Sequence, residues 1–217
     1  MKNLKDYHWP RGKERNFEQT FDLFTGWRKQ LNMALSNNDE ECGFKICSDI
    51  LQWGGVSVAT KNLAKIERLR ANKELMKTLN NARSYIQSKA IDINNIEIPC
   101  NSGFSKIYTC LDNRFIIYDS RVAAKMCSLI GQCFNQTNPL GLGKTTFQAK
   151  ANRNPGPQFP MLTGHDSKYF ESNIKAAWIL EEFAINNPRP DYSAEKLTFA
   201  CQTVLFVTGF DLSKKYD

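Results

Sequence analysis

The sequence predicts an all-helical fold, and three observations carry that reading. Apolar residues recur at helical spacing along most of the chain. Residues that cap helix N-termini stand at the starts of several of those runs, and glycines stand at the ends of two of them. The short apolar run Phe115-Ile116-Ile117-Tyr118 is long enough only for a single strand or a buried extended connection. With 217 residues, 41% hydrophobic and 24% charged, the chain has material for one full core, or for two lobes sharing a cleft, and too much apolar content for disorder.

The elements follow in order. Phe17, Phe21, Phe24, Trp27, Leu31 and Leu35 follow a basic, proline-containing lead and predict a first helix over 16–36, with Gly26 tolerated inside it. Phe44, Ile46, Cys47, Ile50 and Leu51 predict a second over 42–53, stopped by Gly54 and Gly55. Between 58 and 88 the inward positions Leu63, Ile66, Leu69, Leu75, Leu79, Ala82 and Ile86 predict one or two helices, broken near Asn72. A short helix starts near Phe104, and another runs over about 120–134. Ser167 or Ser172 is placed to cap a helix holding Ile174, Trp178, Ile179 and Phe183. Ser193, with Glu195 close behind, opens a last helix that reaches Val207 before Gly209.

Charge and composition narrow the function classes. Twenty-nine Lys and Arg stand against 22 Asp and Glu, a net charge of +7 that favours polyanionic partners and makes binding salt-sensitive. The interval from Lys125 to His165 holds Lys144, Lys150 and Arg153 with no acid, and reads either as a solvated loop or as a DNA-contacting one. Seven cysteines contain no Cys-x-x-Cys pair, and only His8 and His165 are present, so neither a zinc site nor a Ser-His-Asp triad is expected. No apolar run approaches the roughly 20 residues that span a bilayer, and the first residues lack a signal-peptide stretch, so a cytoplasmic setting without a membrane partner is expected. Gly141-Leu142-Gly143-Lys144-Thr145-Thr146 imitates the end of a phosphate-binding loop. The full motif requires glycine at position 138, where Asn138 stands, and a buried strand leading in.

The segment 101–122, Asn-Ser-Gly-Phe-Ser-Lys-Ile-Tyr-Thr-Cys-Leu-Asp-Asn-Arg-Phe-Ile-Ile-Tyr-Asp-Ser-Arg-Val, holds the chemistry. A turn at Ser102 and Gly103 is suited to presenting backbone N–H groups to a phosphate. Lys106 lies on the first helical turn after it, and Asp119 closes the apolar run at the start of the next helix. Taken alone, Asp119-Ser120-Arg121 also reads as an ordinary helix cap.

These residues resemble the helix-hairpin-helix DNA glycosylases, in particular the divergent group related to 8-oxoguanine glycosylases, over roughly residues 93–127. The resemblance implies a single two-lobed helical domain over 1–217, a pocket between the lobes, double-stranded DNA carrying a modified base as partner, no cofactor and a monomeric enzyme. Asp119 matches the family's aspartate, which stabilises the developing sugar cation and activates the nucleophile. Lys106, closer to the aspartate than the family's lysine, is either the nucleophile that attacks the sugar C1′, giving lyase activity, or a phosphate anchor. Ser102, Gly103, Ser105 and Arg121 fall where the DNA backbone is held. Trp53, Tyr118 and Trp178, with Tyr108, are candidates for the slot that receives a flipped base, and core packing is the competing role for each. Asn37-Asn38 or Arg153-Asn154-Pro155 would fill the gap in the duplex. An oxidised purine or a hypermodified phage cytosine is the expected base, the latter in bacterial antiviral defence. The alternative is a helix-hairpin-helix module that binds DNA without chemistry.

Overall fold

The computed structural model describes residues 4–9, 16–55, 61–88, 97–119, 121–123, 125, 126, 129 and 166–209. Its helices are α1 (Phe17–Ser36), α2 (Glu40–Trp53), α3 (Asn62–Ala71), α4 (Leu75–Gln87), α5 (Ser102–Thr109), α6 (Asp166–Asn186) and α7 (Ala194–Thr208). Helical backbone is also present at 121–123, and no strand is present among the described residues. The architecture is therefore mainly α, as the periodicity predicts.

Local signals set the helix ends. Asn16 and Gln19 form a reciprocal capping box at the start of α1, and Ser193 accepts the Lys196 N–H at the start of α7. Helix α2 begins two residues earlier than its apolar run because the Asp39 side chain accepts the Cys42 N–H and so caps the helix at Glu40. It ends at Gly54, and Gly55 takes the left-handed φ of 62° that a glycine adopts freely. The 62–87 stretch is two helices, separated at Asn72-Lys73-Glu74. Helix α6 corrects the sequence reading at its start. It begins at Asp166, so Ser167 and Ser172 lie within it, because Tyr169 and Phe170 are drawn into helical register by packing on Tyr118 and Phe115.

Helix α2 is the hub, packed against α1, α3, α4 and α5, while α6 and α7 pair with each other and α7 leans on α1. Its apolar stripe of Ile46, Cys47, Ile50 and Leu51 is buried in the larger core together with Phe24, Leu31, Ile66, Leu79 and Phe104. A smaller core gathers Ile116, Tyr118, Val122 and Ala123 against Ala176, Ala177 and Leu180 of α6 and Leu205 of α7. Each fully buried Leu, Ile or Phe contributes about 1.5–3 kcal/mol of transfer free energy, so these cores are the main source of stability.

Residues 115–119 form a buried extended connection between the two cores rather than a strand. With no strand among the described residues to supply a ladder, side chains from three helices meet three of its backbone groups. The Tyr118 N–H donates to Ser105 Oγ of α5 at 3.2 Å, the Ile117 N–H donates to Gln202 Oε1 of α7 at 2.7 Å, and the Tyr169 hydroxyl of α6 donates to the Tyr118 carbonyl. These bonds fix where Asp119 stands relative to α5 and α7. Ser105→Ala removes the Ser105 Oγ acceptor of the buried Tyr118 N–H and is expected to cost about 1–3 kcal/mol in urea unfolding.

Candidate active site

The site is built on α5 and on the connection that ends at Asp119. Asn101 caps α5, its Oδ1 accepting the N–H groups of Gly103 at 2.8 Å and Phe104 at 3.2 Å. The Asn101 amide also pairs with the buried Asn62, whose Oδ1 accepts from Asn101 Nδ2 at 2.9 Å. The backbone donors expected to face a phosphate at Ser102-Gly103 are thus partly turned inward: Gly103 and Ser105 are buried, and the Gly103 N–H is taken by the cap. Ser102 is half-buried. A Cβ at position 103 would lie 2.0 Å from Asn62 Nδ2, inside the amide pair. Gly103→Ala is therefore expected to destabilise the fold by about 1–3 kcal/mol, read from the urea midpoint.

Lys106 projects from α5 into the protein. It is only 3% exposed, and its Nζ donates to the Ser102 carbonyl at 2.8 Å. Burial lowers its pKa from the usual lysine value, the charge of Asp119 works in the opposite direction, and Arg121 adds to the lowering. An amine so placed has access to its neutral, nucleophilic form closer to neutral pH than a surface lysine.

Asp119 is half-buried at the start of the next helix. Its Oδ1 accepts the N–H groups of Arg121 and Val122, both at 3.0 Å, while its carbonyl accepts the Ala123 N–H at 2.9 Å. This is the N-cap geometry expected from the sequence, and the two backbone donors converge on one carboxylate oxygen and leave Oδ2 to other partners. Arg121 lies with its guanidinium 4.5 Å from the centre of the Phe206 ring.

Lys106 and Asp119 line the same cavity, together with Trp53, Gln202, Phe206 and Trp9. Its volume is about 30 Å³, room for about two waters at roughly 10–15 Å³ each. Trp53 stands at the end of α2, half-buried, with its Nε1 lacking an acceptor among the described residues. A buried donor in that state marks a place where another group belongs. Tyr7 also reaches the cavity; burial first, with the Asp119 charge adding to it, pushes its pKa up to about 12.

The structure brings three of the sequence candidates together, Lys106, Asp119 and Trp53, with Arg121 adjoining through Phe206. Tyr118 and Tyr108 are fully buried core residues, and Trp178 packs on the larger core away from the cavity lining. Asn37-Asn38 follow α1 and do not line the cavity. Arg153-Asn154-Pro155, the Gly141–Thr146 turn and most of the acid-free interval lie outside the described residues.

Sequence reasoning missed Tyr7, Trp9, Gln202 and Phe206. Gln202 is 3% exposed, and because its Oε1 accepts from a backbone N–H its carboxamide orientation is fixed by chemistry. Its Nε2 has no acceptor among the described residues, so the amide has a donor to offer. A signal existed, since Gln202 and Phe206 sit one helical turn apart in the otherwise apolar run of α7.

No group of three His, Cys, Asp or Glu residues able to hold a metal occurs among the described residues, and no helix among them is long and apolar enough to cross a membrane. Comparison with known proteins finds no family model, no curated protein and no solved structure that matches the chain.

Proposed function

We propose that the protein is a DNA glycosylase that cleaves the N-glycosidic bond of a modified base turned out of the duplex. The observation that carries this reading is the convergence of a buried lysine, a capped aspartate and a tryptophan on one cavity at the join of the two cores. An amine and a carboxylate are what sugar C1′ chemistry needs. The carboxylate stabilises positive charge as the bond to the base breaks, and the amine supplies the electron pair that forms the new bond at C1′.

Lys106 is assigned the nucleophile's role in place of a phosphate anchor's because burial lowers its pKa and it shares a cavity with the carboxylate. In the step proposed, the neutral amine attacks C1′, the electrons of the glycosidic bond leave with the base, which takes up a proton, and the sugar ring opens to a Schiff base. Water then releases Lys106 and leaves an abasic site; loss of the phosphate at C3′ by elimination is the lyase branch. In this reading Trp53 and Phe206 supply ring faces for the base and the Gln202 amide a donor for one of its acceptors, while Ser102 and Arg121 are assigned to the DNA backbone. Two cores with the site between them suit the two-lobed architecture of helix-hairpin-helix glycosylases. A setting in phage defence, with a hypermodified base as target, belongs to the same proposal.

The N-cap role of Asp119 is the observation that favours the rival, a DNA-binding module without chemistry. The experiment that separates them is incubation of the purified chain with DNAs carrying oxidised, alkylated or glucosylated hydroxymethylated bases, with mass spectrometry of what is set free. The glycosylase releases one class of base; the module releases none. Either way the net charge of +7 predicts that affinity for duplex DNA falls at least about tenfold between about 50 and 200 mM salt, measured by fluorescence anisotropy.

A further inference from the structure

The chemistry assigned to Lys106 and Asp119 makes no use of Trp9, yet Trp9 lines their cavity beside Trp53 and Phe206. It lies on the short segment 4–9 ahead of α1, where Leu4 and Tyr7 are buried. Its indole stacks on Trp53 with ring centres 4.6 Å apart and planes 21° from parallel, and it meets Phe206 at 5.7 Å. Its Nε1 donates to the Trp53 carbonyl at 2.9 Å, and Tyr7 braces the same segment by packing edge-on against Phe206 at 6.2 Å. The space left beside Lys106 and Asp119, about 30 Å³, is large enough for water and too small for a base.

We propose that Trp9 is a resident occupant of the base slot: its indole holds the place of a bicyclic purine, and the target base enters when Trp9 leaves Trp53. This rests on the glycosylase reading only in taking the slot to receive a base. An indole and a purine share a fused five- and six-membered ring, so a slot shaped around the one matches the flat area of the other. A single-ring pyrimidine leaves part of the Trp53 face uncovered and forfeits dispersion contacts there. The occupant keeps the walls of the slot apart in the free protein, and its stack and hydrogen bond set a threshold that a weakly stacking ligand does not pass. A stack and one hydrogen bond of ordinary strength correspond to a threshold of about tenfold to a hundredfold in affinity.

The test is equilibrium binding of free 8-oxoguanine, guanine and cytosine to the full chain and to Trp9→Ala and Trp9→Leu, by calorimetry. Both variants are expected to bind the two purines at least about tenfold more tightly than the unaltered chain does, and more tightly than they bind cytosine. In the unaltered chain, saturation with purine is expected to remove the far-ultraviolet exciton couplet of the stacked Trp9 and Trp53 indoles. Purine affinity unchanged or weakened in both variants, a gain confined to cytosine, or no binding of any base at millimolar concentration overturns the proposal. Its failure is distinct from that of the glycosylase reading. Tight purine binding by the variants with no base released from any DNA removes the glycosylase and keeps the slot; base release with unchanged binding removes the resident occupant and keeps the glycosylase.

Discussion

Asp119→Asn is expected to fold, to bind DNA, and to lose base excision by at least about a hundredfold. Asparagine caps helices as well as aspartate, and its Oδ1 can still accept the Arg121 and Val122 N–H groups, so the stability change stays under about 1 kcal/mol. Duplex affinity holds or rises slightly, because one negative charge facing the polyanion is gone. The rate falls because the charge that offsets the developing sugar cation is gone; loss of one such preorganised group costs about 10²–10³ in rate. Removing Asp119 also removes the influence that raises the Lys106 pKa, leaving the amine more readily neutral. The activity loss therefore cannot be assigned to a protonated nucleophile. An Asp119→Asn protein with full base release would make the aspartate a cap and nothing more.

Lys106→Met is expected to abolish covalent trapping and to leave the protein as stable or more so. Borohydride reduction during turnover links the unaltered chain to DNA through the Schiff base nitrogen of Lys106, and the variant gives no such link. Methionine is unbranched and fills a similar shape without a charge to desolvate. Exchange of a buried ionisable group for an apolar one is often neutral or stabilising, here by about 1 kcal/mol at pH 7. The pH dependence carries a sign. Because burial lowers the Lys106 pKa in the folded chain below the ordinary value of 10.5, the unfolded chain holds the extra proton between the two pKa values. Stability of the unaltered protein therefore rises as pH climbs through that window. The stability advantage of Lys106→Met should shrink over the same window, in urea unfolding run in parallel. An advantage independent of pH would contradict a buried, pKa-lowered amine.

Much of the fold was legible because its information is local. The helices over 17–36, 40–53, 75–87 and 194–208 announce themselves by apolar spacing, the last also by its Ser193 cap, while the caps at Asn16 and Asp39 emerge only in the structure. The start of α6 was not, because two good capping residues, Ser167 and Ser172, are overruled by the packing of Tyr169 and Phe170 on a connection some fifty residues upstream. Lys106 and Asp119 were found for the same local reason: a thirteen-residue spacing with a helix start at each end. Their common cavity is a tertiary fact. It depends on Ser105, Gln202 and Tyr169 holding the extended connection from three helices. Trp9 and Tyr7 belong to a basic lead whose pattern shows no element, so only their packing on Trp53 and Phe206 discloses them. The candidates that failed to reach the cavity, Tyr118 and Trp178, are aromatic residues at core spacing, for which burial is the ordinary outcome.

The most direct test counts abasic sites over time in DNA carrying oxidised purines, and in DNA carrying glucosylated hydroxymethylcytosine, with the unaltered protein and Asp119→Asn side by side at equal DNA occupancy. The glycosylase reading requires abasic sites to accumulate on one of these DNAs with the unaltered protein and to fall by at least about a hundredfold with the variant. Equal accumulation with both proteins, or none with either while both remain bound, would contradict it.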